Sequence, residues 1–356
     1  MFHPLRVAAV ERLTDDAVAV TFDVPPHLRD TFRHTPGQHI ALRRTVDGRE
    51  IRRTYSVCTP ATADPVLQVG IRLVEGGAFS PYALKELAPG DTVEAMAPAG
   101  RFVLEPRPGH FVGIVGGSGI TPVLSIAATL LAREPRARFC LVRSDRTVAS
   151  SMFLEEVADL KDRYPDRFQL LHSLSREEQQ AGLPTGRLDE PRLRALLPAL
   201  LPVASVDGWF LCGPHGLVQN AERALRSLGV ARQRIHEEIF HVDDGTAPPA
   251  SASASAPSIP PRASLAGTVT ATLHGRSGAW PGRDGETLLE TVLRHRADAP
   301  YACKGGVCGT CRAFLVDGEV RMDRNFALED EEVAAGYVLA CQSHPVTEEV
   351  AVDFDR

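Results

Sequence analysis

The chain opens with short runs in which apolar and polar positions alternate. Val18, Val20, Phe22 and Val24 are separated by small or polar residues, the period of a half-buried strand. Similar runs predict strands over 39–46, 52–57, 67–74 and 92–97, with turn residues between them at Pro36-Gly37, Asp47-Gly48, Pro89-Gly90 and Pro98-Ala99-Gly100. Short strands at this spacing predict an antiparallel six-stranded barrel, with 79–87 as one short helix. From about residue 109 the pattern changes. An apolar run at 110–115 meets a glycine turn and a helical stretch at 122–133. A strand at 139–142, a helix at 151–164, a strand at 209–212 and a helix at 217–228 follow. Strands alternating with helices predict a parallel α/β sheet.

Composition divides the chain again. From Asp243 to Gly267 it is Pro, Ala and Ser with almost no large apolar residue. Such a segment cannot bury enough surface to offset its ordering entropy and reads as a flexible, partly extended linker. With 356 residues, two or three domains are expected. The pattern sets them at 1–105 (barrel), 106–242 (α/β domain), 243–264 (linker) and 265–356. Of 39 basic and 45 acidic residues, 9 and 15 lie from Leu265 onward, leaving 30 of each upstream. The net charge of −6 therefore belongs to the last quarter, and an acidic chain argues against nucleic-acid binding. The start lacks a long apolar stretch behind a basic one, and no run of 18 apolar residues occurs, so a cytoplasmic protein without a membrane span is expected.

Seven cysteines do not suit a disulfide-stapled secreted fold. Four of them form C-x4-C-x2-C-x29-C: Cys303, Cys308, Cys311 and Cys341, the spacing of plant-type [2Fe–2S] ferredoxins. Two irons each need two protein thiolates beside the bridging sulfides. Gly305, Gly306 and Gly309 let one tight loop wrap the cluster. Zinc or free thiols are the alternatives, but zinc pairs C-x2-C with a second such pair or two histidines, and none follows. Thr287-Leu288-Leu289-Glu290 has capping-box form just upstream. The twelve histidines show no metal-binding spacing, and Cys58 and Cys140 read as core residues.

Three further motifs fall upstream. Arg52-Arg53-Thr54-Tyr55-Ser56 lies on a predicted barrel strand. An Arg there can pair with a pyrophosphate, a Tyr ring can cover a flavin and a Ser can hydrogen-bond it, although four residues also suit an ordinary edge strand. Glu75-Gly76-Gly77-Ala78-Phe79-Ser80 precedes a short helix and offers backbone N–H groups to an anion. Gly116-Gly117-Ser118-Gly119-Ile120-Thr121-Pro122 sits between a strand and a helix, with Thr121 expected at the cap and Pro122 at the first helical position. Cys212-Gly213-Pro214 ends a predicted parallel strand, where ligand crevices form in open α/β sheets.

Together these motifs resemble the ferredoxin-NADP-reductase superfamily, followed by a plant-type ferredoxin, over nearly the whole chain. The domain order is similar to that of the reductase components of bacterial ring oxygenases. So are Tyr82-Ala83, the stretch from Met96 to Phe102, Arg146-Thr147 and His236-Glu237-Glu238-Ile239-Phe240. The resemblance implies a flavin-binding barrel, a nucleotide-binding domain and a β-grasp [2Fe–2S] domain. It assigns FAD contacts to Arg53, Tyr55, Ser56, Ile71, Gly77, Phe79, Ser80 and Phe240. It assigns nicotinamide dinucleotide contacts to Gly116, Gly117, Gly119, Thr121, Cys212, Gly213 and Pro214. Tyr55, Ser56, Cys212 and Glu238 surround the reacting atoms, and Cys303, Cys308, Cys311 and Cys341 hold the cluster. NADPH is expected over NADH because Arg143, Ser144 and Arg146 lie where a 2′-phosphate would sit, while Asp145 there would favour a 2′-hydroxyl. The implied activity passes electrons from NADPH through FAD and the cluster to a di-iron oxygenase, by resemblance one acting on phenylacetyl-CoA. A steroid, phenol or benzoate hydroxylase is the second reading, and a non-enzymatic electron carrier the third. The acidic last quarter suggests docking on a basic partner surface.

Overall fold

A computed structural model describes residues 2–46, 48–62, 66–178, 185–241, 267–328 and 330–356. The chain divides into two compact units, Met1–Val242 and Asp243–Arg356. The Pro/Ala/Ser segment predicted over 243–264 lies outside the described residues.

The first unit begins with six antiparallel strands: β1 (Phe2–Thr14), β2 (Ala17–Asp23), β3 (His39–Val46), β4 (Arg49–Ser56), β5 (Leu67–Arg72) and β6 (Thr92–Met96), ordered β4-β3-β6-β1-β2-β5. Helix α1 (Ser80–Lys85) lies between β5 and β6. Val57 bridges Val69, and Cys58 N–H donates to Gln68 O at 3.0 Å, so the edge strands meet and the sheet closes. Leu5, Val20, Ile40, Leu42, Val69 and Ile71 fill the barrel at 0% exposure. Each such side chain contributes roughly 1.5–3 kcal/mol of burial free energy. Strand β1, unread in the sequence, alternates only weakly and carries Pro4 and two bulges.

The second half of this unit is a parallel sheet. Its elements are β7 (Gly109–Gly116), α2 (Ile120–Arg133), β8 (Ala137–Asp145), α3 (Leu154–Arg163), β9 (Phe168–Leu174), α4 (Glu190–Leu200), β10 (Gly208–Pro214), α5 (His215–Ser227) and β11 (Ile235–His241). The order β11-β10-β7-β8-β9 is all parallel. Successive strands run one way from β7 to β9 and the other way from β10 to β11. The crevice of such a sheet therefore opens at the carboxyl ends of β7 and β10.

The second unit comprises β12 (Thr268–Leu273), β13 (Arg276–Pro281), α6 (Leu288–Leu293), β14 (Arg312–Asp317), β15 (Val320–Met322), α7 (Asp330–Ala334), β16 (Tyr337–Leu339), β17 (Ser343–Pro345) and β18 (Glu349–Asp353). The main sheet runs β13-β12-β18-β14-β16, and β15 pairs with β17. The predicted capping box is present. Glu290 N–H donates to Thr287 Oγ1 at 3.2 Å, and Thr287 N–H donates to the Glu290 carboxylate at 3.0 Å. Leu289 N–H then donates to Ala340 O, fixing the start of α6 beside the segment that carries Cys341.

Candidate active site and candidate metal centre

Strand β4 presents its motif on two faces, because successive side chains point to opposite sides of a strand. Arg53 is exposed and Tyr55 half-buried on one face, while Arg52 is buried on the other, bonded to Glu50. Burial pushes the Tyr55 phenol up, so it stays neutral, although the Arg53 charge opposes this. Its ring lies 5.6 Å from that of Phe79, which packs edge-on to Tyr82.

Three residues expected at FAD have supporting places instead. Ile71 and Phe79 are at 0% exposure in the barrel core, so neither side chain reaches a ligand. Ser80 is buried, and its hydroxyl accepts the Val74 N–H at 2.9 Å, holding the turn that contains Gly77.

At the crevice the backbone itself is the site. A Cβ on Gly119 would stand 2.2 Å from Cys212 O, and one on Gly213 would stand 2.8 Å from Gly116 O. Gly117 adopts φ +55°. These glycines are thus needed for the β7 turn to lie against the end of β10. Helix α2 begins at Ile120, with Gly119 at the cap. Thr121 is therefore inside the first turn, buried, with its hydroxyl donating to Ser118 O at 2.9 Å, and the expected cap at Thr121 is corrected. Pro214 is exposed at the crevice mouth.

Ser56, Cys212 and Glu238 come together from three strands. The Ser56 hydroxyl donates to Glu238 Oε2 at 3.5 Å, and the Cys212 thiol to the same oxygen at 4.0 Å. Burial and the Glu238 charge both push the thiol far up, so Cys212 stays protonated. A fourth member was missed in the sequence: His39 Nδ1 lies 3.7 Å from Glu238 Oε1. Half-buried Phe240 packs against the core of the nucleotide-binding half.

The end of β8 changes the reading of the 2′-phosphate site. The strand continues through Asp145, so Arg143 is inside it at 1% exposure. Arg143 Nε donates to Asp145 Oδ2 at 2.7 Å and its Nη2 to Met152 O at 3.1 Å. His172 Nε2 meets the same Asp145 oxygen at 2.9 Å. Burial pushes the Asp145 carboxyl up, but the hydrogen bond from His172 and the charge and hydrogen bond of Arg143 outweigh it and hold the pKa below the usual carboxylate range. Arg143 is removed from the phosphate-binding set, and Asp145 cannot reach a ribose. Ser144 stays half-buried and Arg146 exposed, and Arg176, also exposed, joins them through its N–H to Arg146 O.

In the second unit the four thiols stand as two pairs, Cys303 with Cys308 and Cys311 with Cys341, each within hydrogen-bonding reach. Among the described residues, no three metal-binding side chains converge as a single-ion site. This donor set fits two irons with two thiolates each and does not fit one tetrahedral ion. Hydrogen bonding from Cys308 and from the Gly305, Val307 and Cys308 N–H groups lowers the Cys303 pKa, although burial opposes it. The Gly305 N–H reaches Cys303 Sγ at 3.3 Å. Gly306 and Gly309 adopt φ +77° and +66°. Gln342, also missed in the sequence, ties the loop to the fourth cysteine: its amide donates to Lys304 O at 2.8 Å and Cys341 O at 3.0 Å.

A barrel with an exposed arginine and half-buried tyrosine on one strand, a doubly wound sheet with a glycine crevice, and a paired four-thiol loop define an NAD(P)H-dependent flavin and iron–sulfur oxidoreductase. Family models agree: an oxidoreductase FAD-binding domain over residues 4–104, an oxidoreductase NAD-binding domain over 114–223 and a 2Fe-2S iron-sulfur cluster binding domain over 272–346. The chain is 42% identical to one of the subunits of the 1,2-phenylacetyl-CoA epoxidase of Escherichia coli K12, over 99% of this chain and 98% of that protein. It is 33% identical to the 3-ketosteroid-9-alpha-monooxygenase ferredoxin reductase component of Rhodococcus rhodochrous, over 98% and 96%. Phthalate dioxygenase reductase shares the fold at a TM-score of 0.59 and 23% identity, covering 99% of this chain and 98% of that one. The chain belongs to the family of FAD- and [2Fe–2S]-containing reductase components of multicomponent oxygenases. Among the described residues, no helix is long and apolar enough to cross a membrane.

The Asp145 network carries a prediction. Its carboxyl is held low, so its stabilisation is present above the ordinary value near 4 and lost as pH falls through the native value. Asp145→Asn breaks a buried pair and should cost about 3–5 kcal/mol at neutral pH. The variant should also lose less stability than wild type on acidification below about pH 4. Urea unfolding followed at Trp209, in a Trp280→Phe background, measures both; equal acid sensitivity in the two proteins would refute the assignment.

Proposed function

We propose that this reductase delivers electrons from NADPH to the oxygenase of a phenylacetyl-CoA ring epoxidase. The observation that carries the reading is the meeting of Ser56, Cys212 and Glu238 beside the glycine crevice, in a chain whose second unit pairs four thiols. The domain limits 1–105, 106–242, 243–264 and 265–356 are supported by the division at Val242 and by the three family matches, which fall within the three domains flanking the linker.

FAD, when bound, would take one hydride, carrying two electrons, from the nicotinamide and yield those electrons singly, as a one-electron cluster requires. The residues supply placement and charge. Exposed Arg53 offers its guanidinium to the pyrophosphate, and the Gly77 turn offers backbone N–H groups. Tyr55, propped by Phe79, covers the ring system, with Phe240 its counterpart at the end of β11. Gly116, Gly117, Gly119 and Gly213 let the dinucleotide lie against the backbone, with Pro214 at the mouth. Ser56 and Glu238 hold a proton beside the reacting atoms, and Cys212, kept neutral, fills the crevice floor. Cys303, Cys308, Cys311 and Cys341 hold the cluster. Cys308→Ser should retain NADPH-dependent bleaching at flavin wavelengths and lose the reduced-cluster EPR signal; a persisting signal would sink the cluster assignment.

The preference for NADPH rests on what β8 withdraws and leaves. Asp145, the residue that would favour a 2′-hydroxyl, is paired and buried, while Ser144, Arg146 and Arg176 remain at the strand end. A charge-assisted hydrogen bond contributes about 1.5–3 kcal/mol, so Arg146→Ala should raise KM for NADPH about tenfold or more and leave that for NADH nearly unmoved. Equal effects on both would rule out a 2′-phosphate contact.

The 42% relative supports phenylacetyl-CoA as the substrate of the partner; the 33% relative supports a steroid hydroxylase as the second reading. Asp317, Glu319, Asp323, Asp330, Glu331, Glu348 and Glu349 are exposed on the second unit, which supports docking on a basic surface. Mixed with a phenylacetyl-CoA oxygenase component, the protein should support NADPH-dependent epoxidation that weakens as salt rises, while turnover with a dye changes little. Support of a steroid hydroxylase alone would select the second reading.

A further inference from the structure

Gln342 follows the fourth cysteine and is no part of the C-x4-C-x2-C-x29-C spacing. Its backbone is fixed on both sides: its N–H donates to Leu339 O at 2.9 Å, and its carbonyl accepts the Asp323 N–H at 2.8 Å. The side chain reaches back across the cysteine loop. Nε2 lies 2.8 Å from Lys304 O, 3.0 Å from Cys341 O and 3.6 Å from Cys341 Sγ. An amide has two hydrogens, so one goes to Lys304 O and the other is shared between the oxygen and the sulfur of Cys341. Gly306, at φ +77°, leaves room for this; a Cβ there would stand 3.2 Å from Gln342 Cγ. Lys304, the residue the amide holds, is left-handed at φ +54°, a conformation that side chains disfavour. Its ammonium is turned to the Tyr301 ring, while its carbonyl meets Gln342. With Lys304 so turned, the next N–H, that of Gly305, points at Cys303 Sγ at 3.3 Å. One side chain thus touches the loop that carries Cys303 and the sulfur of Cys341, a member of each thiol pair.

We propose that Gln342 is a positioning residue that raises the reduction potential of the cluster, an inference that rests on the [2Fe–2S] reading of the four thiols. Taking up one electron from the flavin adds one negative charge, and no proton is bound. That charge is spread over the sulfurs, so N–H groups aimed at them favour the reduced form. Gln342 acts in two ways. Its own N–H lies at Cys341 Sγ, and its hold on Lys304 O keeps the Gly305 N–H at Cys303 Sγ.

The test is an anaerobic potentiometric titration of the full-length protein with both cofactors, with the cluster read by EPR and the flavin by absorbance. Gln342→Met keeps the length of the side chain and removes both N–H groups. Its cluster should take up the electron about tenfold less favourably, a fall of about 59 mV for a one-electron couple. Gln342→Glu keeps the shape but sets a charged acceptor at the same place, so its midpoint should fall further. The flavin midpoint should stay put in both. An unmoved cluster midpoint in Gln342→Met would overturn the proposal even where the cluster is lost faster, because a purely structural clasp gives that result. A flavin midpoint that falls with the cluster's would overturn it too. A second measurement needs no variant to fold. Gln342 is the only glutamine from Leu265 onward, so protein made in a cell-free system with side-chain ¹⁵N-glutamine carries one labelled amide in its second unit. Pulsed EPR of the reduced wild type should show the cluster's unpaired electron coupled to that nitrogen; no coupling would likewise overturn the proposal. A reduced-cluster EPR signal in the wild type keeps the cluster reading standing in either case, and its absence would refute that reading and this inference together.

Discussion

The approach of two backbones organises the first unit. The turn after β7 lies so close to the end of β10 that Gly119 has no space for a single carbon, and Gly213 is closed off from the other side. Side chains of any size at these positions would force the two strand ends apart, and the floor of the crevice with them. Cys212 and Glu238 sit on the paired strands β10 and β11, in register with each other, so the position of the carboxylate follows from this contact. The Glu238 carboxylate in turn reaches Ser56 and His39, which belong to the barrel. One close backbone contact thus sets the distance between groups from both halves of the unit.

The same geometry explains which parts were legible in the sequence. Spacing disclosed the four thiols, because a tight loop leaves few ways to present three cysteines, and alternation disclosed five of the six barrel strands. The glycine turn was legible as a turn, but its reason was only half seen: the glycines admit the neighbouring strand as well as a ligand. Strand β1 was missed because Pro4 and two bulges break its period, β9 because its polar positions fall irregularly, and α4 because Pro191 and Pro198 disguise a helix capped by Asp189. Site residues went wrong where burial decides. Arg143 and Arg146 are three apart and chemically alike, yet strand β8 ends between them. One is locked onto Asp145 and the other faces solvent. His39 and Gln342 carried no motif, since their roles come from strand pairing and from a loop closed in three dimensions.

Buried charge is used sparingly and in pairs. Arg143 and Asp145 lie at 1% and 2% side-chain exposure, where an unpaired ion would be costly. His172 adds a contact to Asp145 and Met152 O accepts from Arg143 Nη2, so the ends of β8 and β9 are tied together. This network withdraws Asp145 from solvent while leaving Arg146 exposed just beyond it.

The second unit handles its charge in the opposite manner. Its thiols are buried or half-buried, and the loop directs N–H groups at Cys303, so the sulfurs' negative charge is met by dipoles rather than by cations. Lys304 is the basic residue in that loop, and its ammonium lies over the Tyr301 ring, 4.8 Å from the centroid. The acidic excess is carried at the surface, where water screens it, so its effect on folding and on the cluster is small. What survives screening is the field felt by an approaching protein, which sets encounter rate and orientation. A balanced first unit adds no competing field of its own. The docking proposed above therefore rests on a net charge confined to the cluster-bearing unit, the part that would deliver the electron.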